Sequence, residues 1–492
     1  MTPELIKIRD EIRGYAQEAG LDFFEVMFEV LDWREMNVVA SYGGFPNRYP
    51  HWRFGMEYEH ISKTYAYGLT KIYEMVINND PCYAYLLHSN SLVDQKMVMA
   101  HVYGHSDFFK NNVFFSATNR KMIDEMGNHR AKVMRMINRY GLDVVEGFVD
   151  LCLSLENLID FRQVGLRARK RPMELVEEGE EEEAIEIKKI PSKDYMDRYL
   201  NPKEFLDEQR KLAEEERKVT KFPEHPERDL FCFLGEHAPV ERWQREILWM
   251  IREEAYYFAP QMMTKIMNEG WAAYHHSKIM TQRALKDHEV IDYADHHSGT
   301  VASRPGVLNP YKIGMELFRR IEERWNKGQF GPEYENCQKM SERLGWNRKL
   351  GLGKEKIFEV RKLYNDVTFL DVFLDEQFCE DQKLFTYQFN PATKAYEIVD
   401  RDCQKVRAKL LQKLTNLGHP QINVIDGNAF NRGEMTLKHQ HEGVDLRLDW
   451  AWDVLKNIQK IWKKPVHLET VVDGIAKVLS FDGEEKKEQR LV

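Results

Sequence analysis

Apolar residues recur with helical spacing over most of residues 1–330. Leu5, Ile8, Ile12 and Tyr15 fall on one face of a helix predicted within residues 1–30. The same spacing predicts further helices at 57–78, 92–109, 119–139, 142–168, 241–258, 264–280 and 311–326. This part of the chain is therefore expected to consist mainly of packed helices.

The pattern changes after about residue 330. Short runs typical of strands occur at 384–389, 396–399, 422–425 and 435–446, and helices are predicted at 402–416 and 449–462. The expected fold class is α+β, with a predominantly α-helical core and a smaller C-terminal α+β module.

Breaks in the pattern divide the chain into four regions. Residues 1–170 form an N-terminal helical region, residues 226–330 a second helical region that completes the core, and residues 331–492 the C-terminal module. Residues 171–225 are predicted to be an acidic insert or linker. The reason is that Glu177–Glu183 is nearly all Glu, and such charge repels itself in water.

Composition narrows the class of protein. Hydrophobic residues make up 43% of the chain and charged residues 31%, as in ordinary globular proteins. The formal net charge of -9 argues against a nucleic-acid-binding protein. No apolar run approaches the length of a membrane span, and the first residues lack the apolar stretch of a signal peptide. Six cysteines without CxxC spacing predict reduced thiols in a cytoplasmic protein.

The sharpest local signal is a pair of histidines, His101 and His105, in a predicted helix. Residues four apart lie one turn apart on the same face, which lets two imidazoles bind one zinc ion. Gly104 beside them permits the close approach of another backbone. The alternative is that both histidines are ordinary polar positions satisfied by hydrogen bonds.

A second signal lies in residues 268–276. On a helix, Glu269 and His276 share a face, whereas His275 is rotated well away from Glu269. If a carboxylate and an imidazole act together here, His276 is the better candidate. The alternative is a surface or capping role for Glu269.

Two other metal sites are conceivable from spacing. Glu125 follows His105 at the distance along the chain of the third ligand in thermolysin-like enzymes. Glu57 and His60 form one ExxH motif, whereas a di-iron carboxylate bundle uses two such motifs and two further Glu.

The two motifs together are similar to the HxxGH and EGWA segments of some zinc metallopeptidase-like families. That resemblance implies a metallohydrolase-like core in which His101, His105 and Glu269 bind zinc, with iron or manganese as alternatives. It implies that His276 is a neighbouring group beside the ligands or the substrate.

The chain departs from those hydrolases at one position. They carry Glu, the general base, directly after the first histidine, and this sequence has Val102 there. Another group must then accept the proton, or the site is not a peptidase. The candidate catalytic residues are Glu57, His60, Asp107, His276 and His297.

Longer segments resemble the SpoVR family, the stage V sporulation protein R type. They are residues 73–78, 99–105, 107–112, 258–261, 267–272, 309–311 and 465–470. The resemblance implies a role in sporulation, in particular in spore cortex formation, or a broader stress response. It also implies association with a PrkA-type serine kinase and a von Willebrand A-like protein.

Two hypotheses about function follow. The first is a zinc-dependent hydrolase acting on an amide or peptide bond. The second is a non-enzymatic regulatory scaffold that works with the PrkA-type kinase, and Val102 in place of the general base favours it.

Overall fold

The computed structural model describes residues 1–66, 72–165, 222–303 and 305–491. They form two compact units. The first contains residues 1–146, 161–165 and 256–418, and the second contains residues 147–160, 222–255 and 419–491, within the described ranges. The predicted acidic insert lies outside the described residues except for 222–225, and the predicted four-region division stays a prediction.

Helices dominate the described chain. In order they are α1 (Pro3–Glu18), α2 (Trp33–Ser41), α3 (Trp52–Ala66), α4 (Leu92–Asn111), α5 (Met122–Tyr140), α6 (Leu142–Leu153), α7 (Leu230–His237), α8 (Arg242–Met263), α9 (Lys265–Ile279), α10 (Val290–Thr300), α11 (Pro310–Lys327), α12 (Pro332–Glu335), α13 (Met340–Leu344), α14 (Gly353–Leu363), α15 (Asp366–Phe373), α16 (Glu376–Asp381), α17 (Cys403–Leu414) and α18 (Leu448–Trp462). No helix in these ranges is both long and apolar enough to cross a bilayer.

Ten strands are described, and they form three sheets. They are β1 (Val26–Leu31), β2 (Glu74–Ile77), β3 (Cys82–Leu87), β4 (Thr386–Asn390), β5 (Ala395–Asp400), β6 (Ile422–Ala429), β7 (Glu434–His439), β8 (Val466–Val472), β9 (Ile475–Phe481) and β10 (Lys486–Arg490). The sheet orders are β1-β3-β2, β4-β5 and β10-β9-β8-β7-β6. The α+β class, the predominance of helix and a C-terminal module with a sheet are confirmed.

The first unit packs helices around a small sheet. β3 is central, parallel to β1 and antiparallel to β2, with Glu74 of β2 opposite Leu86. Against this sheet lies α4, which is buried on nearly every side because its apolar residues are not confined to one stripe. α9 packs between α4 and α11, so the three helices form the centre of the unit.

Glycines bring these three helices unusually close together. A Cβ atom on Gly104 of α4 would lie 2.7 Å from the Cα of Ala272 in α9. On the opposite face of α9, a Cβ on Gly270 would overlap with Gly314 of α11, and one on Gly314 would overlap with the carbonyl oxygen of Ile266. The predicted role of Gly104 in close backbone approach is confirmed.

The second unit contains the five-stranded sheet. β7 and β8 are parallel and the other neighbours are antiparallel. A parallel pair needs a crossover connection, and α18 supplies it. Its apolar stripe, Leu455, Ile458 and Ile461, is buried where α18 packs against β8 and β9.

The structure corrects several sequence predictions. The helix predicted over 1–30 ends at Glu18, and the helix predicted over 57–78 is wrong at its end, because residues 74–77 form β2 and pair with β3. Local helical spacing could not reveal this non-local pairing. The helix predicted over 142–168 ends at Leu153, and the strand predicted over 435–446 ends at His439. Cys379 and Cys403 form a disulfide, so the prediction that all six cysteines are reduced thiols is wrong for these two.

The helix crossing at Gly314 gives a testable prediction. Gly314→Ala should lower the free energy of unfolding by about 2 kcal/mol or more, because its methyl group has no space between α11 and α9. The midpoint of urea denaturation measures the change.

Gly14→Ala in α1 is the matched control. Nothing lies within 4 Å of the added Cβ there, so this variant should gain up to about 1 kcal/mol from helix propensity. Equal midpoints for the two variants would contradict the close packing of α9 and α11.

Candidate metal centre

The two histidines of the first motif lie on α4, as predicted. Ser91 caps the helix in a reciprocal capping box with Asp94, which fixes where α4 begins. His101 and His105 then project one turn apart, with ring centroids 4.5 Å from each other. Their exposed fractions are only 4% and 8%, so both imidazoles are removed from bulk water.

Glu269 comes from α9, whose start is fixed from outside the helix. The Asp366 carboxylate accepts the N–H groups of Ile266 at 2.8 Å and Met267 at 2.9 Å, so two of the unsatisfied donors of the first turn have partners. One turn further on lies Glu269. Its Oε2 is 3.3 Å from His101 Nε2 and 3.5 Å from His105 Nε2.

These three side chains meet the geometric requirement for binding one ion. One ligand atom from each of His101, His105 and Glu269 lies within 4.8 Å of the other two. Two imidazole nitrogens and one carboxylate oxygen are the donors found in catalytic zinc sites, where a further coordination position stays open.

Neighbouring side chains orient both imidazoles. His105 Nδ1 lies 2.9 Å from Asn268 Oδ1, an acceptor, so Nδ1 carries a proton and Nε2 is the nitrogen that faces Glu269; loss of a proton from Nε2 would free its lone pair for a metal ion. His101 Nδ1 lies 2.9 Å from His276 Nδ1, and His276 Nε2 lies 3.3 Å from His297 Nδ1. With His101 Nδ1–H and His276 Nε2–H donating outward along this chain, His101 Nε2 is the nitrogen that faces Glu269, 3.3 Å from its Oε2.

Charge at the centre is concentrated on Glu269. Burial acts to raise the pKa of this carboxyl, but the charge of His105 and hydrogen bonds from His101 and His105 lower it well below its usual range. Burial and the neighbouring His101 and His297 hold the pKa of His276 well below the ordinary value. The site therefore pairs an ionised Glu269 carboxylate with a neutral His276 imidazole, which suits a cation.

Two residues at the centre were not singled out from the sequence. Glu74, at the start of β2, lies close enough for its charge to interact with those of His101, Glu269 and His105. The Tyr311 ring stacks on His101 with centroids 5.9 Å apart, and its hydroxyl lies close enough to Glu269 for the carboxylate to influence its pKa. Burial, then the charges of Glu269 and Glu74, raise the pKa of Tyr311.

Comparison with known proteins agrees with the motifs. The family model described as SpoVR like protein matches residues 1–419, and the model described as SpoVR-like C-terminal domain matches residues 420–473. The chain belongs to the SpoVR family. It is similar to the uncharacterized protein YcgB of Escherichia coli strain K12, with 29% identity over 490 residues, 93% of this chain and 90% of that protein. No solved structure matches it.

The two residues that were not singled out from the sequence lie in segments that resemble the SpoVR family. Glu74 lies in 73–78 and Tyr311 in 309–311, and both segments resemble those of the family. The signal was therefore present, but only the structure brings these side chains to His101 and Glu269.

The other sequence candidates lie in different surroundings in this SpoVR chain. Glu57 and His60 are exposed on α3. Among the described residues, neither forms a hydrogen bond or ion pair with the three candidate ligands. A carboxylate oxygen of Glu125 on α5 lies 3.4 Å from His129 Nε2. Glu125 does not belong to the group of ligand atoms around His105, so its spacing along the chain is not matched by a contact there. His276 and His297 are the two candidates that the structure brings to the centre, through the imidazole chain.

Asp107, another candidate base, serves as a buried anchor. It accepts the N–H of Asp22 at 2.8 Å and the indole N–H of Trp271 at 2.8 Å, and Arg361 Nη1 lies 3.1 Å from its Oδ2. Because Trp271 belongs to α9, this bond ties α4 to α9 beside the Gly104 contact. Asp107 thus holds the two site helices in position.

Removal of Arg361, the ion-pair partner of Asp107, should destabilise the folded protein. Arg361→Met leaves the fully buried Asp107 carboxylate without its cation, so we expect a loss of about 3–5 kcal/mol in the free energy of unfolding. The urea midpoint should be measured at about pH 8, because burial raises the pKa of Asp107 to about 6 and the group is then ionised.

Arg348→Met removes a cation from an exposed pair with Glu333 and should change stability by less than about 1 kcal/mol. A similar shift in both variants would contradict the anchoring role of Asp107.

Proposed function

We propose that this chain binds a divalent metal ion through His101, His105 and Glu269 and hydrolyses an amide or peptide bond. Zinc is the expected ion, with iron or manganese as alternatives. The observation that supports the proposal is the convergence of these three ligand atoms within 4.8 Å. The centre would make the helical first unit a metallohydrolase-like core.

The surrounding residues fit this chemistry. Asn268 and His276 hold the two imidazoles with Nε2 toward Glu269, the arrangement that typically supports zinc ligands. Zinc, when bound, supplies Lewis-acid chemistry, polarising a carbonyl group and making water more acidic. Everything else must come from the chain itself.

Proton transfer is assigned to residues other than Val102. Val102 is fully buried and has no acceptor atom. Glu74 is the carboxylate beside the ligands that could take a proton from water, and the Tyr311 hydroxyl lies next to Glu269. His276 and His297 offer a path for a proton from His101 Nδ1 to the half-buried His297 ring.

Membership of the SpoVR family supports a role in sporulation, with spore cortex formation as the process, or in a stress response. We place the chain in the cytoplasm. A cell-wall substrate would therefore be a precursor made there, and the alternative substrate is a protein.

One observation favours a second function, a regulatory scaffold. The position that carries the general base in similar hydrolases is occupied by the buried Val102. In this proposal the chain works with a PrkA-type kinase and a von Willebrand A-like protein, and the histidine cluster stabilises the fold.

Metal content tests the centre directly. The protein purified without chelators should contain about one zinc, iron or manganese ion per chain by elemental analysis. A His101→Ala/His105→Ala double variant should contain none, because two of the three ligands are gone. His60→Ala, which removes an exposed histidine of α3, is the control and should retain the metal.

The proposed centre would be contradicted if the unmodified protein, purified without chelators and then given zinc, contained no metal. The scaffold function would then be the better supported of the two.

Activity separates the two functions. The metal-loaded protein should release amines from a panel of peptides and amide-linked cell-wall precursors, and His105→Ala should reduce this release to background while remaining folded by circular dichroism. The His60→Ala control should hydrolyse at the unmodified rate.

The scaffold function makes the opposite prediction. A folded His105→Ala protein would retain full function in cells and co-purify with the kinase. Stoichiometric metal without turnover of any amide in the panel would count against the hydrolase.

A further inference from the structure

A cavity lies on the face of α9 that points away from the metal centre. Its volume is about 220 Å³, and it is lined by residues of α1, α9, α11 and α14, among them Tyr15, His275, Lys278 and Lys354. His275 and Lys278 lie roughly 120° or more around the helix from Glu269, so this cavity shares no wall with the three candidate ligands.

His275 is an unusual residue for the wall of a core helix. Its side chain is only 3% exposed, and neither ring nitrogen has a hydrogen-bond partner in the described structure. The rings of Trp271 and Phe358 pack edge-on against it at centroid distances of 4.3 and 5.9 Å. Burying unsatisfied polar atoms costs free energy, and an apolar ring would avoid that cost. Both nitrogens are shielded from solvent, so the ring must turn toward the cavity before a ligand there can give the imidazole its missing partner.

Three cations and two carboxylates, Glu18 and Glu322, line the cavity, so its net charge is positive. Lys278 is neutralised by Glu322, whose two carboxylate oxygens each lie 2.9 Å from its Nζ. Arg283 forms only a long, exposed pair with Glu18 at 3.6 Å. Lys354 has no carboxylate partner among the described residues.

Most of the remaining wall is apolar. Tyr15, Ile357 and Phe358 line the cavity, and the Lys354 Nζ lies 5.8 Å from the centroid of the Phe358 ring. A positively charged rim over an aromatic and aliphatic wall selects for a molecule with an anionic group and an apolar body.

We propose that this cavity is a binding site for a small organic anion, a carboxylate or phosphate group attached to an aromatic or other apolar body. Lys354 and Arg283 attract the anionic group, and Tyr15 and Phe358 pack against the body. His275 supplies one donor and one acceptor. Burial and the charges of Lys278, Arg361 and Lys354 hold its pKa well below the ordinary value, so the imidazole is neutral and offers both.

Calorimetric titration with defined probes tests the site. Phenyl phosphate and benzoate separate a phosphate from a carboxylate ligand, inorganic phosphate tests the need for an apolar body, and phenol tests the need for charge. We expect phenyl phosphate or benzoate to bind with a dissociation constant of about 1 mM or tighter, and inorganic phosphate and phenol to bind at least about tenfold more weakly.

Variants locate the binding. Lys354→Met should weaken binding about tenfold, the usual effect of losing a charged hydrogen-bonding partner. Lys362→Met is the matched control, because Lys362 is exposed on the same helix and does not line the cavity, and it should bind as the unmodified protein does.

His275→Phe distinguishes a ligand-binding imidazole from a packing residue. The variant should melt at a temperature equal to or above that of the unmodified protein, because the unsatisfied nitrogens are removed, and yet bind the probe at least about tenfold more weakly. The His101→Ala/His105→Ala protein should bind the probe normally, so this site and the metal centre can fail independently.

Two results would overturn the proposal. One is no detectable binding of either phenyl phosphate or benzoate. The other is binding that neither Lys354→Met nor His275→Phe weakens.

Discussion

The close approach of α4 to α9 is the constraint on which the rest of the first unit depends. Gly104 leaves room for the backbone of α9 at Ala272, where any side chain would collide. Since His105 follows Gly104 directly and Glu269 precedes Ala272 by one turn, the same approach brings imidazole and carboxylate within 3.5 Å. A wider helix spacing, as larger residues would impose, would separate the two sets of ligands.

The metal centre is held by contacts on more than one side. The buried Asp107 joins α4 to Trp271 of α9, Asp366 fixes the first turn of α9, and the Gly270–Gly314 crossing holds α11 with Tyr311 against it. Such support from packed helices keeps functional side chains in place without a cost at the moment of binding. The residues that hold the centre are therefore as informative as the residues that form it.

The sequence predicted what is local in the centre. Two histidines a turn apart, and Glu269 on the same face as His276, follow from helical geometry alone, and the family resemblance joined the two motifs. Local sequence patterns could not predict β2, because this strand, which carries Glu74 to the centre, forms only by pairing with β3. Nor could they predict the role of Asp107, since its partners Trp271 and Arg361 lie 164 and 254 residues away along the chain.

The separation of the two helices along the chain bears on how the protein is made. His101 and Glu269 are 168 residues apart, and Asp366, which caps α9, lies 100 residues beyond Ile266. A ribosome releases the histidines long before their partners, so the nascent α4 emerges with its apolar sides uncovered. Contacts of such long range slow folding, and the first unit can close only after residues 256–418 have been synthesised.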